Sequence, residues 1–141
     1  MLDGIPLFSG LSDAEKSTVA LFSQERKIYA GDVLIREGDD ATAMYVVITG
    51  KLKTYRERST GEVLLGYVYS GGLVGEMAIF DHSAPKVRQA SVMAVEDSLL
   101  LVIVDYAIME LSRKHPEVFE KISKVIYMRN AENMAKRHSD L

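Results

Sequence analysis

A short stretch in the second half of the chain combines the residue types that bind a phosphate group. Gly75 and Glu76 follow the apolar Val74, and Arg88 comes after an intervening loop. Because glycine has no Cβ, the chain can turn sharply at Gly75 and let a ligand approach the backbone closely. Residues 76–80 are typical of one helical turn, whose first N–H groups lack partners within the helix and attract anions. Arg88 adds a planar, permanently charged fork that matches phosphate oxygens.

Glu76 needs a partner other than the phosphate, because two negatively charged groups repel each other. A sugar hydroxyl, a base N–H or a guanidinium group would satisfy its carboxylate. A backbone cradle, an arginine and a carboxylate together suit a compact ligand that carries both phosphate and ribose.

Two sequence patterns in this chain resemble those of cyclic nucleotide-binding domains. The phosphate-binding cassette of that family reads apolar-Gly-Glu-x-small-apolar, then a variable loop, then Arg-x-Ala-x-apolar-x-small. Residues 74–79 and 88–94 match every fixed position of this pattern. Upstream, residues 34–50 fit the strand-turn-strand signature of the same β-roll. The resemblance extends from residue 7 to about residue 135.

The resemblance implies a role for each residue of the cassette. Arg88 would bind the cyclic phosphate, and Glu76 would bind the ribose 2′-hydroxyl. Leu65 and Val74 are candidates for the apolar walls of the pocket, although simple core packing explains them equally well. The backbone N–H groups that would help to hold the phosphate are those of Met77, Ala78 and Gln89 or Ala90.

The preference between cAMP and cGMP is predicted from Gln89 and from polar residues of the last helix. Gln89 stands where many relatives have Ser, Thr or Ala, so it lacks the hydroxyl that is often linked to guanine. In the predicted last helix, Arg129 and Asn133 continue the face of Ile122 and Ile126. This face either covers the ligand or is solvated or dimer-facing. The amide of Asn133 fits the adenine edge, so we expect cAMP to be preferred.

Residues 25–104 predict an antiparallel β-structure around the cassette. Short runs rich in β-branched and aromatic residues are separated by turns that contain Gly, Asp and Ser. Such strands, mostly without intervening helices, indicate a sandwich or roll. We therefore expect an α+β fold that is mainly β, namely a jelly-roll-like antiparallel β-roll with an N-terminal helix and C-terminal helices. The predicted strands are residues 26–29, 33–36, 43–49, 51–57, 62–69, 88–95 and 99–104.

Helices are predicted on both sides of the β-roll. Ser12 and Glu15 form the Ser-x-x-Glu pattern of a capping box, so the first helix should begin directly after Ser12. Asp105 could cap a second helix, and Pro116 fits the first position of a third. The predicted helices span residues 13–23, 106–114 and 116–137. We expect a single domain over residues 1–141, with an N-terminal helical segment (1–24), the β-roll (25–104, cassette 74–92) and the C-terminal helices (105–141).

Composition narrows the possible classes of protein. The 141 residues suffice for one domain with its own core. The net charge is −3, and no basic cluster indicates nucleic-acid binding or a DNA-binding domain. The longest apolar run, residues 99–104, is far shorter than the roughly 20 residues of a membrane span. Without cysteine or a signal-peptide pattern, we expect a cytoplasmic protein without membrane contact.

The leading interpretation is a regulatory sensor without enzymatic activity, cofactor or metal. It would bind cAMP in preference to cGMP and relay binding through its last helix. It could form a homodimer through that helix or act on a downstream effector domain. One alternative is a degenerate module that keeps the fold for protein contacts and binds no nucleotide. The other is a cupin-like metalloenzyme, which the scattered positions of His82, His115 and His138 disfavour.

The assignment of Glu76 to the ribose predicts a specific pattern of affinities. Glu76→Gln keeps the size and one acceptor oxygen but loses the charge, so it should cost about 1–3 kcal/mol of binding free energy. A 2′-deoxy ligand should therefore lose affinity on the wild type and much less on the variant, as measured by calorimetric titration. Equal losses on both proteins would mean that Glu76 does not contact the ribose.

Overall fold

Two antiparallel sheets form the body of the protein. They are seen in a computed structural model that describes residues 5–40, 42–75, 88 and 90–124. The strands in chain order are β1 (Ser23–Ile28), β2 (Val33–Ile35), β3 (Ala43–Thr49), β4 (Lys51–Arg58), β5 (Gly61–Tyr69), β6 (Leu73–Val74), β7 (Ser91–Ala94) and β8 (Ser98–Val104). One sheet has the strand order β1-β8-β3-β6, and the other has the order β2-β7-β4-β5. We call them sheet A and sheet B.

Helical elements lie at both ends of the described chain. A 3-10 helix (Pro6–Phe8) precedes α1 (Asp13–Leu21), and α2 (Asp105–Lys114) follows β8 directly. A further helix, α3, is described over residues 116–124. This arrangement confirms the predicted mainly β fold with flanking helices. No helix within the described ranges is both long and apolar enough to cross a membrane.

Strand β3 is buried on both faces and takes part in both hydrophobic cores. Successive side chains of a strand point to opposite faces of its sheet. Met44 and Val46 therefore join one core, and Tyr45 and Val47 join the other. The helix-side core packs the helices on sheet A and includes Phe8, Val19, Met44, Val46, Ile108, Val118 and Ile122. The inter-sheet core lies between the sheets and includes Tyr45, Val47, Leu52, Val74, Val92 and Leu100.

The capping box at the start of α1 is present as predicted. The Ser12 hydroxyl accepts a hydrogen bond from the Glu15 N–H at 3.2 Å, and the Glu15 carboxylate accepts one from the Ser12 N–H at 2.9 Å. The bonds with Ser12 and the nearby His115 lower the pKa of Glu15. His115 Nε2 lies 2.6 Å from Glu15 Oε2, so the same carboxylate links α1 to the junction of α2 and α3.

Several predicted boundaries and orientations differ from the structure. The last strand of the cassette begins at Ser91, not Arg88, and the short strand β6 was not predicted. Asp105 does not cap α2 but is its first residue, with Val104 at the cap position and no side-chain cap bond. Phe119 of α3 is 46% exposed, because the buried face of this helix is centred on Val118 and Ile122. The predicted extension of α3 to residue 137 lies outside the described residues beyond 124.

The capping box gives a prediction for stability. Ser12→Ala removes the acceptor for the Glu15 N–H and should lower the free energy of unfolding by about 1 kcal/mol. Ser17→Ala is a suitable control, because Ser17 is exposed inside α1 and alanine favours a helix there. Urea unfolding would measure both variants. Equal stability of the two variants would contradict a stabilising role for the cap.

Candidate functional site

The site is built around a left-handed turn at Gly75, directly after β6. Gly75 has φ = +82°, a conformation that residues with a Cβ rarely adopt. A Cβ here would lie 2.5 Å from Arg88 Nη1 and 3.3 Å from the Ala43 carbonyl oxygen. Glycine is therefore required for the backbone angle and for the close approach of the Arg88 side chain.

The Arg88 guanidinium joins the two segments that meet at this turn. Arg88 Nη1 donates to the Gly75 carbonyl at 3.0 Å, and Nη2 donates to the Ala43 carbonyl at 2.8 Å. Arg88 is only 6% exposed, and its guanidinium carbon lies 5.8 Å from the centroid of the Tyr45 ring. The fork thus holds a buried positive charge beside the left-handed backbone of Gly75. An anion placed there would interact strongly, because few water molecules screen the charge.

The backbone of Arg88 is fixed by the turn after β2. The Arg88 N–H donates to the Asp39 carbonyl at 2.7 Å, and the Gly38 N–H donates to the Arg88 carbonyl at 2.8 Å. Gly38 has φ = +91°, so this turn also needs glycine. The upstream sequence pattern that contains Gly38 and Asp39 therefore positions the arginine of the cassette, although the two patterns are far apart in the chain.

The structure brings some of the predicted site residues together and leaves others undescribed. Val74 is fully buried in the inter-sheet core, and Ala90 is half-buried directly before β7. Leu65 is buried in β5, where a register shift between Thr54 and Tyr55 makes it the extra residue of a β-bulge. The predicted site residues that lie outside the described chain are Glu76, Met77, Ala78, Gln89, Arg129 and Asn133.

Two groups of this site were not predicted from the sequence. The Ala43 carbonyl is an acceptor for Arg88, and the Tyr45 ring lies near the guanidinium. A backbone carbonyl leaves no trace in the residue type, so Ala43 could not have been found. Tyr45 lies within the upstream pattern of residues 34–50, but its residue type alone does not indicate that its ring lies near Arg88.

The described residues also contain a cavity that is separate from this site. It has a volume of about 350 Å³ and lies between α1 and α2, with Val19, Ile103, Ala107 and Leu111 among its lining residues. None of the residues that line it belongs to the cassette. The cavity is therefore separate from Gly75 and Arg88. Within the described ranges, no three or more His, Asp or Glu side chains are grouped to hold a metal ion.

The comparison with protein families decides the class of this domain. The family model described as "Cyclic nucleotide-binding domain" matches residues 25–115. The chain belongs to this family. The predicted resemblance is thereby confirmed.

Curated and structural relatives agree with this assignment. The cyclic AMP receptor protein of Thermus thermophilus is 32% identical over 129 residues, which cover 91% of this chain and 58% of that protein. The crystal structure of the Thermus thermophilus catabolite activator protein has a TM-score of 0.77 at 30% identity, covering 94% of this chain and 62% of that one.

A third relative comes from a different kind of regulatory protein. The regulatory domain of Toxoplasma gondii PKA, crystallised with cAMP, has a TM-score of 0.65 at 33% identity and covers 74% of this chain and 39% of that one. The chain spans only 58%, 33% and 7% of the length of three of its curated relatives. The likeness therefore concerns one domain of larger proteins.

The two carbonyl contacts of Arg88 predict that this residue also stabilises the fold. Arg88→Lys keeps the charge but cannot reproduce the fork, so a buried carbonyl loses its partner. We expect the free energy of unfolding to fall by about 1–3 kcal/mol. Arg58→Lys is the matched control, because Arg58 pairs on the surface with Glu37 and should change stability by less than about 0.5 kcal/mol. Similar values for both variants in urea unfolding would contradict the structural role.

Proposed function

We propose that this domain is a regulatory sensor that binds a cyclic mononucleotide and prefers cAMP to cGMP. The observation that carries the proposal is the buried Arg88 fork beside the Gly75 turn, in a chain of the cyclic nucleotide-binding family. Arg88 would bind the cyclic phosphate. The backbone N–H groups of Met77, Ala78 and Gln89 or Ala90 would add to this contact. Binding needs no cofactor or metal, and we propose no enzymatic step.

The rest of the ligand would be held by residues on either side of the phosphate. Glu76 would accept a hydrogen bond from the ribose 2′-hydroxyl. Leu65 and Val74 would supply apolar contacts, and Arg129 and Asn133 would reach the base from the last helix. Support for the apolar contacts comes from the burial of Leu65 and Val74 in the two sheets.

A short series of contacts supports the proposal that binding is relayed to the helices. Arg88 donates to the Ala43 carbonyl, and the preceding carbonyl, that of Thr42, accepts a hydrogen bond from the Asp105 N–H at 3.0 Å. Asp105 is the first residue of α2. A ligand that displaces Arg88 would thus act on residues 42–43, whose carbonyls bond to Arg88 and to the first residue of α2. It can shift the helices only by its difference in affinity between two arrangements.

The output of the sensor is proposed from its relatives. The chain resembles single domains of longer receptor and kinase regulatory proteins, so we propose that it acts on an effector domain or on a second copy through the last helix. We propose a cytoplasmic location and no direct contact with nucleic acid or membrane.

Calorimetric titration with cAMP, cGMP and a cyclic dinucleotide tests the proposed ligand. We expect cAMP to bind most tightly, cGMP more weakly and the cyclic dinucleotide not at all. Linear 5′-AMP is the control, because it has the same base and ribose but a doubly charged phosphate without the cyclic ester. Arg88→Lys should bind cAMP more than tenfold more weakly than the wild type. A wild type that prefers cGMP would refute the preference, and one that binds no cyclic nucleotide would refute the function.

The proposed base preference can be tested at Asn133. Asn133→Ala should lower the affinity for cAMP by about 1–2 kcal/mol, as expected for one buried hydrogen bond. The affinity for cGMP should fall less, so the preference should narrow. Equal losses for both ligands would make the last helix a general lid, and unchanged affinities would mean that it does not contact the base.

A further inference from the structure

Arg56 is a second buried arginine, and the proposed phosphate site does not include it. It is 8% exposed, and Arg56 and Arg88 are the two charged side chains that are buried within the described ranges. Burial of a guanidinium is costly unless polar acceptors surround it, so arginine rarely occupies such a position by packing alone. The location of Arg56 in the fold is therefore evidence about its function.

The strand alternation places Arg56 on the inner face of sheet B. In β4, Leu52 belongs to the inter-sheet core, and Thr54 and Arg56 follow it in steps of two. Leu52 pairs in register with Ala94 and Thr54 with Val92, and both partners belong to the same core.

The outer face of the same strand confirms this orientation. Lys51 Nζ lies 4.4 Å from the centroid of the Tyr67 ring, and Lys53 Nζ lies 5.3 Å from that of Tyr55. Tyr67 is 46% exposed. Lys51 and Lys53 thus face outward, whereas Tyr55 between them and Arg56 is 2% exposed. The inward orientation of Arg56 follows from its alternation with Leu52 and Thr54.

Arg56 lies close to the cassette residues along the paired strands β4 and β7. Tyr55 pairs with Ser91, so one further step along the antiparallel pair sets Arg56 beside Ala90. Ala90 and Arg88 come before β7, whose first residue is Ser91. Arg56 and Arg88 therefore lie at the same end of the roll, on neighbouring segments. Arg88 is directed at the carbonyls of Ala43 and Gly75, on the side of sheet A, whereas Arg56 lies on sheet B.

The neighbours of Arg56 form a surface that suits a flat ring. Leu65, the extra residue of the bulge, is buried between the partners of Thr54 and Tyr55. The Thr54 hydroxyl is already used, because it donates to the Gly66 carbonyl at 3.3 Å. Arg56 pairs in register with Val63, two residues before Leu65, so the guanidinium and this apolar side chain belong to paired strands. A purine could place its face on Leu65 and its N7 edge on Arg56.

We infer that Arg56 is a base-contacting residue of the nucleotide site and donates to N7 of the purine. This inference rests on the proposed function. Both adenine and guanine have N7 as an acceptor, and guanine adds O6 in the geometry that an arginine fork matches. Arg56 therefore supports binding of both ligands and favours guanine. It counteracts the proposed preference of Asn133 for adenine and keeps the selectivity of the sensor small.

The experiment compares wild type and Arg56→Met with four ligands, namely cAMP, cGMP and their 7-deaza analogues, in which carbon replaces N7. Methionine keeps much of the length and removes the charge and the donors. On the wild type, each analogue should bind about fivefold more weakly than its parent, as for one lost hydrogen bond. Arg56→Met should abolish this difference. It should weaken cGMP about tenfold or more and cAMP about fivefold, because guanine loses two contacts.

Arg58→Met is the matched control, since Arg58 lies two residues further along β4 and is exposed. It should change none of the affinities and should keep the difference between parent and analogue. If Arg56→Met does not fold, Arg56→Lys and the wild-type analogue series still test the inference. Lysine should lose more affinity for cGMP than for cAMP, because it has the charge without the fork.

The outcomes separate this inference from the function on which it rests. If the wild type binds cAMP and cGMP but does not distinguish either from its 7-deaza analogue, Arg56 does not contact N7 and the inference is wrong, while the proposed function stands. The same holds if Arg56→Met retains the full difference. If the wild type binds no cyclic nucleotide, both the inference and the proposed function are overturned.

Discussion

The structure of the site depends on one buried guanidinium that bonds to two backbone carbonyls. Arg88 ties the turn at Gly75 to the start of β3 through Ala43, and a Cβ at Gly75 would occupy the space that the fork needs. The positive charge is therefore in place, oriented and shielded from water without help from a ligand. A preformed arrangement of this kind would need little reorganisation to bind the proposed anion, which favours affinity.

Strand β3 connects this interaction with the rest of the molecule. Its side chains pack alternately into the helix-side core and the inter-sheet core, so the strand has no solvent-facing side over most of its length. The segment before it accepts hydrogen bonds both from Arg88 and, through Thr42, from the first residue of α2. A packed central strand with the proposed ligand site at one end and a helix anchor beside it suits the proposed sensor. In that proposal, a displacement at Arg88 would reach α2 through this segment because packed interiors deform little.

The sequence predicted the regular elements well where the chain alternates between apolar and turn-forming residues. The bounds of β3 agree with the prediction at both ends, since it is apolar from Ala43 to Ile48 and Gly50 follows its last residue. The prediction failed where the pattern was too short or depended on neighbours. Leu73–Val74 forms β6 because β3 offers a partner. The predicted strand does not begin at Arg88, because the backbone of Arg88 pairs with Gly38 and Asp39.

The sequence by itself determined the family and the chemical groups of the candidate site. Gly75 and Arg88 were identifiable because only glycine allows the backbone angle and only arginine supplies a planar charged fork, and both requirements are visible in residue type and spacing. The tertiary structure alone decided what these groups contact. The partners of Arg88 are backbone carbonyls 13 and 45 residues away. The burial of Arg56 depends on the register of three strands. A backbone acceptor and a strand register have no signature in the type of a single residue, so these contacts arise only when distant segments pack together.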